Sequence, residues 1–161
     1  MSNQRTYFSI FLGFLLVLGA IGAGAQDRFI DNGDGTVTDT KLGLMWAQSD
    51  NQTDIFWQEA PAWIKNNFAN KIGPQFYDWR LPTVSELKSL YLESPDYSGY
   101  RAKCGHSVKM VAAIRISCIL IWSSDTALGL PLAFNYYLGN AFTVDLADNR
   151  GCRVLPVRKI K

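Results

Sequence analysis

The sequence has a single histidine, His106, and only three cysteines, Cys104, Cys118 and Cys152, in 161 residues. One imidazole leaves no second histidine for a paired metal site, and neither H-E-x-x-H nor G-x-S-x-G occurs. Charge of one sign is also scarce. Sixteen basic and fourteen acidic residues leave a net charge of +2. That excludes the strongly basic stripe of a nucleic-acid binder and the charge excess of a disordered chain. There is no internal repeat, no low-complexity tract and no Gly-X-Y run.

What is plentiful lies first at the N-terminus. After Arg5 the run "TYFSIFLGFLLVLGAIGAGA" carries no charge and ends in Ala23-Gly24-Ala25. A basic start, an apolar stretch and a small-x-small site predict a secretory signal peptide over residues 1–25, cut before Gln26. Residues 26–161 are then one exported domain, periplasmic or secreted. An uncleaved segment would instead tether it to a membrane. All five tryptophans fall in the exported part, whose length is enough for a single core.

An oxidising compartment favours a disulfide. Cys104 with Cys118 is the first choice, because it closes a short loop where secondary-structure signals are weak, but sequence leaves the other pairings open. A Cys₃His zinc set from these cysteines and His106 has irregular spacing, so no metal and no cofactor is assigned. The acidic turn Asp31-Asn32-Gly33-Asp34-Gly35 places glycine where a calcium loop needs oxygen ligands.

Residues flanking Asn32–Gly35 read as a β-hairpin leading to a third extended segment. Ala60, Trp63, Ile64 and Phe68 recur at helical spacing and are expected to face a core, with Pro61 confined to the first turn and the helix beginning near Glu59. Thr83-Val84-Ser85-Glu86 is a capping box, and Leu87, Leu90 and Tyr91 give the following helix an apolar stripe that ends before Pro95. Tyr97 to Ser117 shows little periodicity. "ILIWSS" reads as a strand. "AFNYY" and "AFTVDL" are expected to pair through a two-residue turn at Gly139-Asn140, with Phe142, Val144 and Leu146 facing inward. "CRVLPVR" reads as a short closing strand. The fold class is α+β: an antiparallel sheet, two helices and long irregular loops.

The blocks "DNGDGTVTDTKLGLMWAQ", "WQEA", "DWRLPTVSELKSLY", "IWSSDT" and "RVLPVR", in that order, resemble the C-terminal domain of the Legionella collagen-like adhesin. The resemblance runs from about Arg28 to Arg158. It implies a C-type lectin-like fold, akin to formylglycine-generating enzymes, and a domain linked to binding sulfated glycans and host surfaces. This sequence lacks the collagenous stalk. By the same resemblance, cysteines of relatives fall at Ile64 and Pro156, so that staple is missing here.

Trp79, Arg80, Pro82, Thr83, Glu86 and Trp122 lie in these blocks and read as scaffold: Glu86 completes the cap, Asp78 beside Arg80 suggests a salt-bridged loop anchor, and the two tryptophans fill the core. Tyr100, Arg101, Lys103, Lys109 and Arg115 gather aromatic and basic groups in the irregular region and are the candidate ligand-binding residues. The implied function is a non-catalytic exported binding or interaction domain, for a glycan or an envelope protein. The alternative is an envelope hydrolase or a thiol-dependent enzyme.

Overall fold

The computed structural model describes residues 27–73 and 76–160; the expected signal peptide lies outside them. Three strands open the fold: β1 (Phe29–Asp31), β2 (Thr36–Asp39) and β3 (Leu44–Ala47). They form an antiparallel meander, and the last strand, β10 (Val157–Lys159), pairs antiparallel with β3. Both ends of the domain therefore meet in one four-stranded sheet, ordered β1-β2-β3-β10.

Helix α1 spans 57–72 and is not uniform. It opens as a 3₁₀ turn (Trp57–Glu59), continues as α-helix (Ala60–Trp63), widens into a π segment (Ile64–Phe68) and closes as α-helix (Ala69–Ile72). Pro61 sits in the first α turn, where its missing N–H breaks nothing. Ala60, Ile64 and Phe68 are buried as the spacing requires, but Trp63 is only half-buried.

Helix α2 (Val84–Lys88) is shorter than expected. Its start is the capping box: the Glu86 N–H donates to Thr83 Oγ1 at 3.2 Å, and the Thr83 N–H donates to Glu86 Oε2 at 2.8 Å. Its end is set by tertiary pairing instead of by Pro95. Tyr91 bridges antiparallel to Met110, and the Leu92 N–H donates to the Lys109 carbonyl, so the chain has become extended four residues early.

The second sheet is ordered β8-β7-β6-β9, from β6 (Leu120–Ala127), β7 (Leu130–Asn135), β8 (Asn140–Thr143) and β9 (Cys152–Arg153). Three details differ from the sequence reading. Asn135 pairs with Asn140, so the β7–β8 turn holds four residues instead of the two at Gly139-Asn140. Gly139 adopts φ +77°, and a Cβ there would lie 2.6 Å from the Tyr91 ring, which is why this position takes glycine. Phe142 and Leu146 are exposed and only Val144 is buried, because strand β8 stops at Thr143 and the alternation is not sustained. Finally, "CRVLPVR" is two strands. β9 runs parallel to β6, an exception in otherwise antiparallel sheets, and β10 belongs to the first sheet. Pro156 lies between them and its carbonyl accepts from the Ala47 N–H.

The core lies between the sheets and helices. Trp46, Trp122, Phe134, Tyr136, Leu87, Leu90 and Met110 are fully buried there. Trp122 donates from Nε1 to the Ile55 carbonyl at 2.8 Å, and the Tyr136 hydroxyl donates to the Leu87 carbonyl at 2.8 Å, so two large aromatics also tie loop and helix to the central sheet. Trp79 is 7% exposed and packs edge-to-face on Phe68, as a core residue does. Among the described residues no helix is long and apolar enough to cross a membrane.

Candidate functional site

The irregular region holds a small hairpin, β4 (Tyr100–Arg101) with β5 (Ser107–Val108), that the sequence pattern did not reveal. A disulfide joins Cys104 to Cys118, with Cα atoms 5.2 Å apart. The Cys104 N–H also donates to the Ser117 carbonyl, so the loop is closed twice at the same place.

Around this closure the side chains are fixed from both sides. The Tyr100 hydroxyl accepts from the Ile116 N–H at 2.7 Å and donates to the Ile116 carbonyl at 3.1 Å. Burial raises the Tyr100 phenol above its ordinary value, keeping it neutral in both roles. The Arg115 guanidinium lies over the same ring. Arg115 is placed by its backbone, whose N–H donates to the Gln48 carbonyl, and by the parallel bridge to Ser49. Lys103 Nζ donates to Gln52 Oε1 at 2.6 Å.

These contacts make a shallow pocket of about 390 Å³. Tyr100, Arg101, Lys103 and Arg115 line it, together with Gln52 and Ser49. Of the five candidate binding residues four are brought together; Lys109 does not line this pocket and its backbone is spent on Tyr136 and Leu92. The cations are unneutralised. The ion pairs among the described residues are Arg28–Asp39, Arg80–Glu86, Arg150–Asp148, Arg153–Asp54 and Arg158–Asp78, and none involves Arg101, Lys103 or Arg115.

A deeper groove of about 690 Å³ adjoins this pocket and shares Ser49, Gln52 and Arg115 with it. Trp63, Asn67 and Lys71 of α1 form one wall. The sequence reading missed this wall by sending Trp63 to the core, although the i, i+4, i+8 spacing of Trp63, Asn67 and Lys71 puts them on one face. Asp50 forms part of the floor. Its Oδ2 accepts from the Ser117 N–H (2.7 Å) and hydroxyl (2.9 Å), and Oδ1 accepts from the Gln52 N–H and side-chain amide. Burial outweighs these donors and Arg153, so the Asp50 carboxyl sits above its ordinary value. Asp50 thereby links the floor of the groove to the residue next to Cys118.

The other groups singled out by sequence have structural partners. Arg80 grips Glu86 through two bonds of 2.8 and 2.7 Å, and a third donor, the Thr83 N–H, adds to the same carboxylate. Asp78 is salt-bridged, as the sequence suggests, and accepts from Arg158 Nε at 2.7 Å, because the bridge between Arg80 and Val157 brings β10 alongside. Pro82 receives the Ser124 N–H on its carbonyl at 2.7 Å. In the acidic turn, Asp31 accepts from Gly33 and Gln48, Asp34 from Thr36, and Asp39 from Arg28. These carboxylates are turned to different partners instead of toward a common point. Cys152 is 1% exposed, and burial followed by the nearby Asp148 and Asp54 pushes its thiol up to about 12. His106 is exposed on the β4–β5 loop.

A family model described as the Lcl C-terminal domain matches residues 35–158. The chain belongs to the Lcl C-terminal domain family. Neither a curated protein nor a solved structure matches it. The Lcl C-terminal match runs from just before β2 into β10 and takes in both helices, the disulfide loop and the whole second sheet, leaving β1 outside it.

Proposed function

We propose that this Lcl C-terminal domain is an exported, non-catalytic binding module that takes an anionic ligand, a glycan or another envelope component, on the disulfide-closed loop. One observation carries the reading: Arg101, Lys103 and Arg115, from both sides of the disulfide, line one pocket without a carboxylate partner. Cations without an ion-pair partner on a fixed surface cost self-repulsion, which an anionic ligand relieves. Membership of an adhesin-type family points the same way, as does the implied lectin-like architecture of two helices, antiparallel sheets and a long irregular segment.

Export is supported by the N-terminal pattern and by the disulfide, which persists in oxidising compartments. A thiol-dependent enzyme is disfavoured by its own chemistry. Cys104 and Cys118 are oxidised, and a buried thiol at about 12 is protonated at neutral pH and cannot act as a nucleophile. The test is direct binding of the purified protein to sulfated, carboxylated and neutral glycans over a salt series, with and without calcium. The reading expects salt-sensitive binding to anionic glycans that Arg101→Ala, Lys103→Ala and Arg115→Ala each weaken. Calcium-dependent binding that survives all three substitutions would move the ligand to another surface.

A further inference from the structure

We infer that the groove beside the basic pocket is the seat for one pyranose ring of an acidic oligosaccharide, with Trp63 as its platform. The inference rests on the anionic-ligand reading above and adds the ligand's shape and the residues that read it.

The two walls of the groove differ in what they have left to offer. On the strand side the amides are already engaged: Gln48 donates to Asp31, Asn51 donates to Thr53 and accepts from Val154, and Gln52 donates to Asp50 while accepting from Lys103. On the helix side the Trp63 indole N–H, the Asn67 amide and the Lys71 ammonium have no hydrogen-bond or ion-pair partner among the described residues. A ligand that fills this groove therefore meets free donors at Trp63, Asn67 and Lys71 and acceptors at the Asn67 amide and the Asp34 carboxylate, beside a flat aromatic ring. A pyranose has both features: an apolar face of C–H groups and a rim of hydroxyls. Lys71 and Arg115, which line the groove together with Asp34 and Asp50, are the cations available to a carboxylate or sulfate on that ring.

The platform is also prepared. Trp63 stacks offset on the buried Phe68 with ring centres 6.2 Å apart and planes 26° apart, so its indole is oriented before any ligand arrives. Trp63 sits where α1 widens into its π segment, a local irregularity that recurs at functional sites. The opening at Ser49, Gln52 and Arg115 lets an adjacent acidic substituent reach the basic pocket, so that one oligosaccharide spans both. The volume, about 690 Å³, lies within the usual range for small-ligand sites of about 300–1,000 Å³.

The experiment titrates the purified protein with a hexuronate oligosaccharide, a sulfated dextran oligosaccharide and neutral dextran, comparing Trp63→Ala, Asn67→Ala and Lys103→Ala. Loss of one aromatic platform is worth about tenfold in affinity, equivalent to about 1.4 kcal/mol. Trp63→Ala is expected to weaken acidic oligosaccharides by about that factor at every salt concentration. Asn67→Ala, an exposed change that leaves packing untouched, is expected to weaken them about threefold. Lys103→Ala is expected to lower mainly the salt dependence. If Lys103→Ala acts and both helix substitutions leave affinity unchanged, the pyranose seat is overturned and the basic pocket stands alone. If none acts, or no oligosaccharide binds, both readings fall. Equal affinity for neutral dextran overturns the acidic-sugar assignment.

Discussion

Arg115 lies over the ring of Tyr100, its guanidinium carbon 4.5 Å from the ring centre. The stack holds a cation at the shared edge of the pocket and the groove, and the ring beneath it is pinned at its hydroxyl by both polar groups of Ile116. Such a pair contributes about 0.5–1 kcal/mol at an exposed site. Its larger effect is to keep a long, flexible side chain in one place for a ligand to meet.

Tyr100→Phe separates these roles. The ring remains under Arg115, but the Ile116 N–H loses its acceptor, a change that costs about 1–3 kcal/mol. Urea unfolding should show that loss, while the salt slope of ligand binding is retained. Tyr100→Leu should lose both.

The disulfide closes a loop with a sequence separation of 14. By the chain-entropy estimate, Cys104→Ser with Cys118→Ser costs about 3 kcal/mol. Calorimetry should register a fall in Tm on the order of 10 °C. Binding at a temperature where the reduced protein is still folded should weaken too, because Arg101, Lys103 and Arg115 are no longer held around one pocket.

Cys152 should resist modification. With its thiol buried and raised to about 12, iodoacetamide at mildly alkaline pH should add nothing to the native protein and one adduct after unfolding without reduction. Mass spectrometry decides it. Rapid labelling of the native protein would contradict the buried assignment and reopen thiol chemistry.

Two carboxylates should bend the acid limb of stability in opposite directions. Burial opposes ionisation of Glu86, but Arg80 and Thr83 outweigh it and hold the carboxyl below 4.5. Its contribution is present above that unfolded value and lost as pH falls through the folded one. Asp50 is the reverse: burial lifts it above 3.8, so its contribution is full below that value and is lost as pH rises through the folded one. Stability measured from pH 3 to pH 6 should therefore rise less steeply with pH in Glu86→Gln than in the parent protein, and more steeply in Asp50→Asn. Part of the Arg80–Glu86 contribution is lost to solvent screening, since the Arg80 side chain is 37% exposed, so the Glu86 effect should be about 1–2 kcal/mol.

What sequence could reveal was local. Thr83 and Glu86 sit three residues apart and need nothing else to cap a helix, so the box was legible. The Asn32–Gly35 turn and the apolar run beginning at Ile119 were legible for the same reason. What failed depended on residues far away along the chain. The end of α2 is set by Met110 and Lys109, and the split of "CRVLPVR" follows from which sheet each half reaches. Only composition points to the basic residues of the candidate site. That Lys109 does not line the pocket with the others, and that Trp63 and Lys71 line one groove with Arg115, is geometry that no spacing encodes.

The most direct test of the account is calorimetric titration of the protein with an acidic oligosaccharide at a low and a near-physiological salt concentration, for the parent and the Arg101→Ala, Lys103→Ala, Arg115→Ala triple variant. The account predicts affinity that falls as salt rises in the parent, and loss of both affinity and salt slope in the variant. Unchanged binding by a folded triple variant would contradict it.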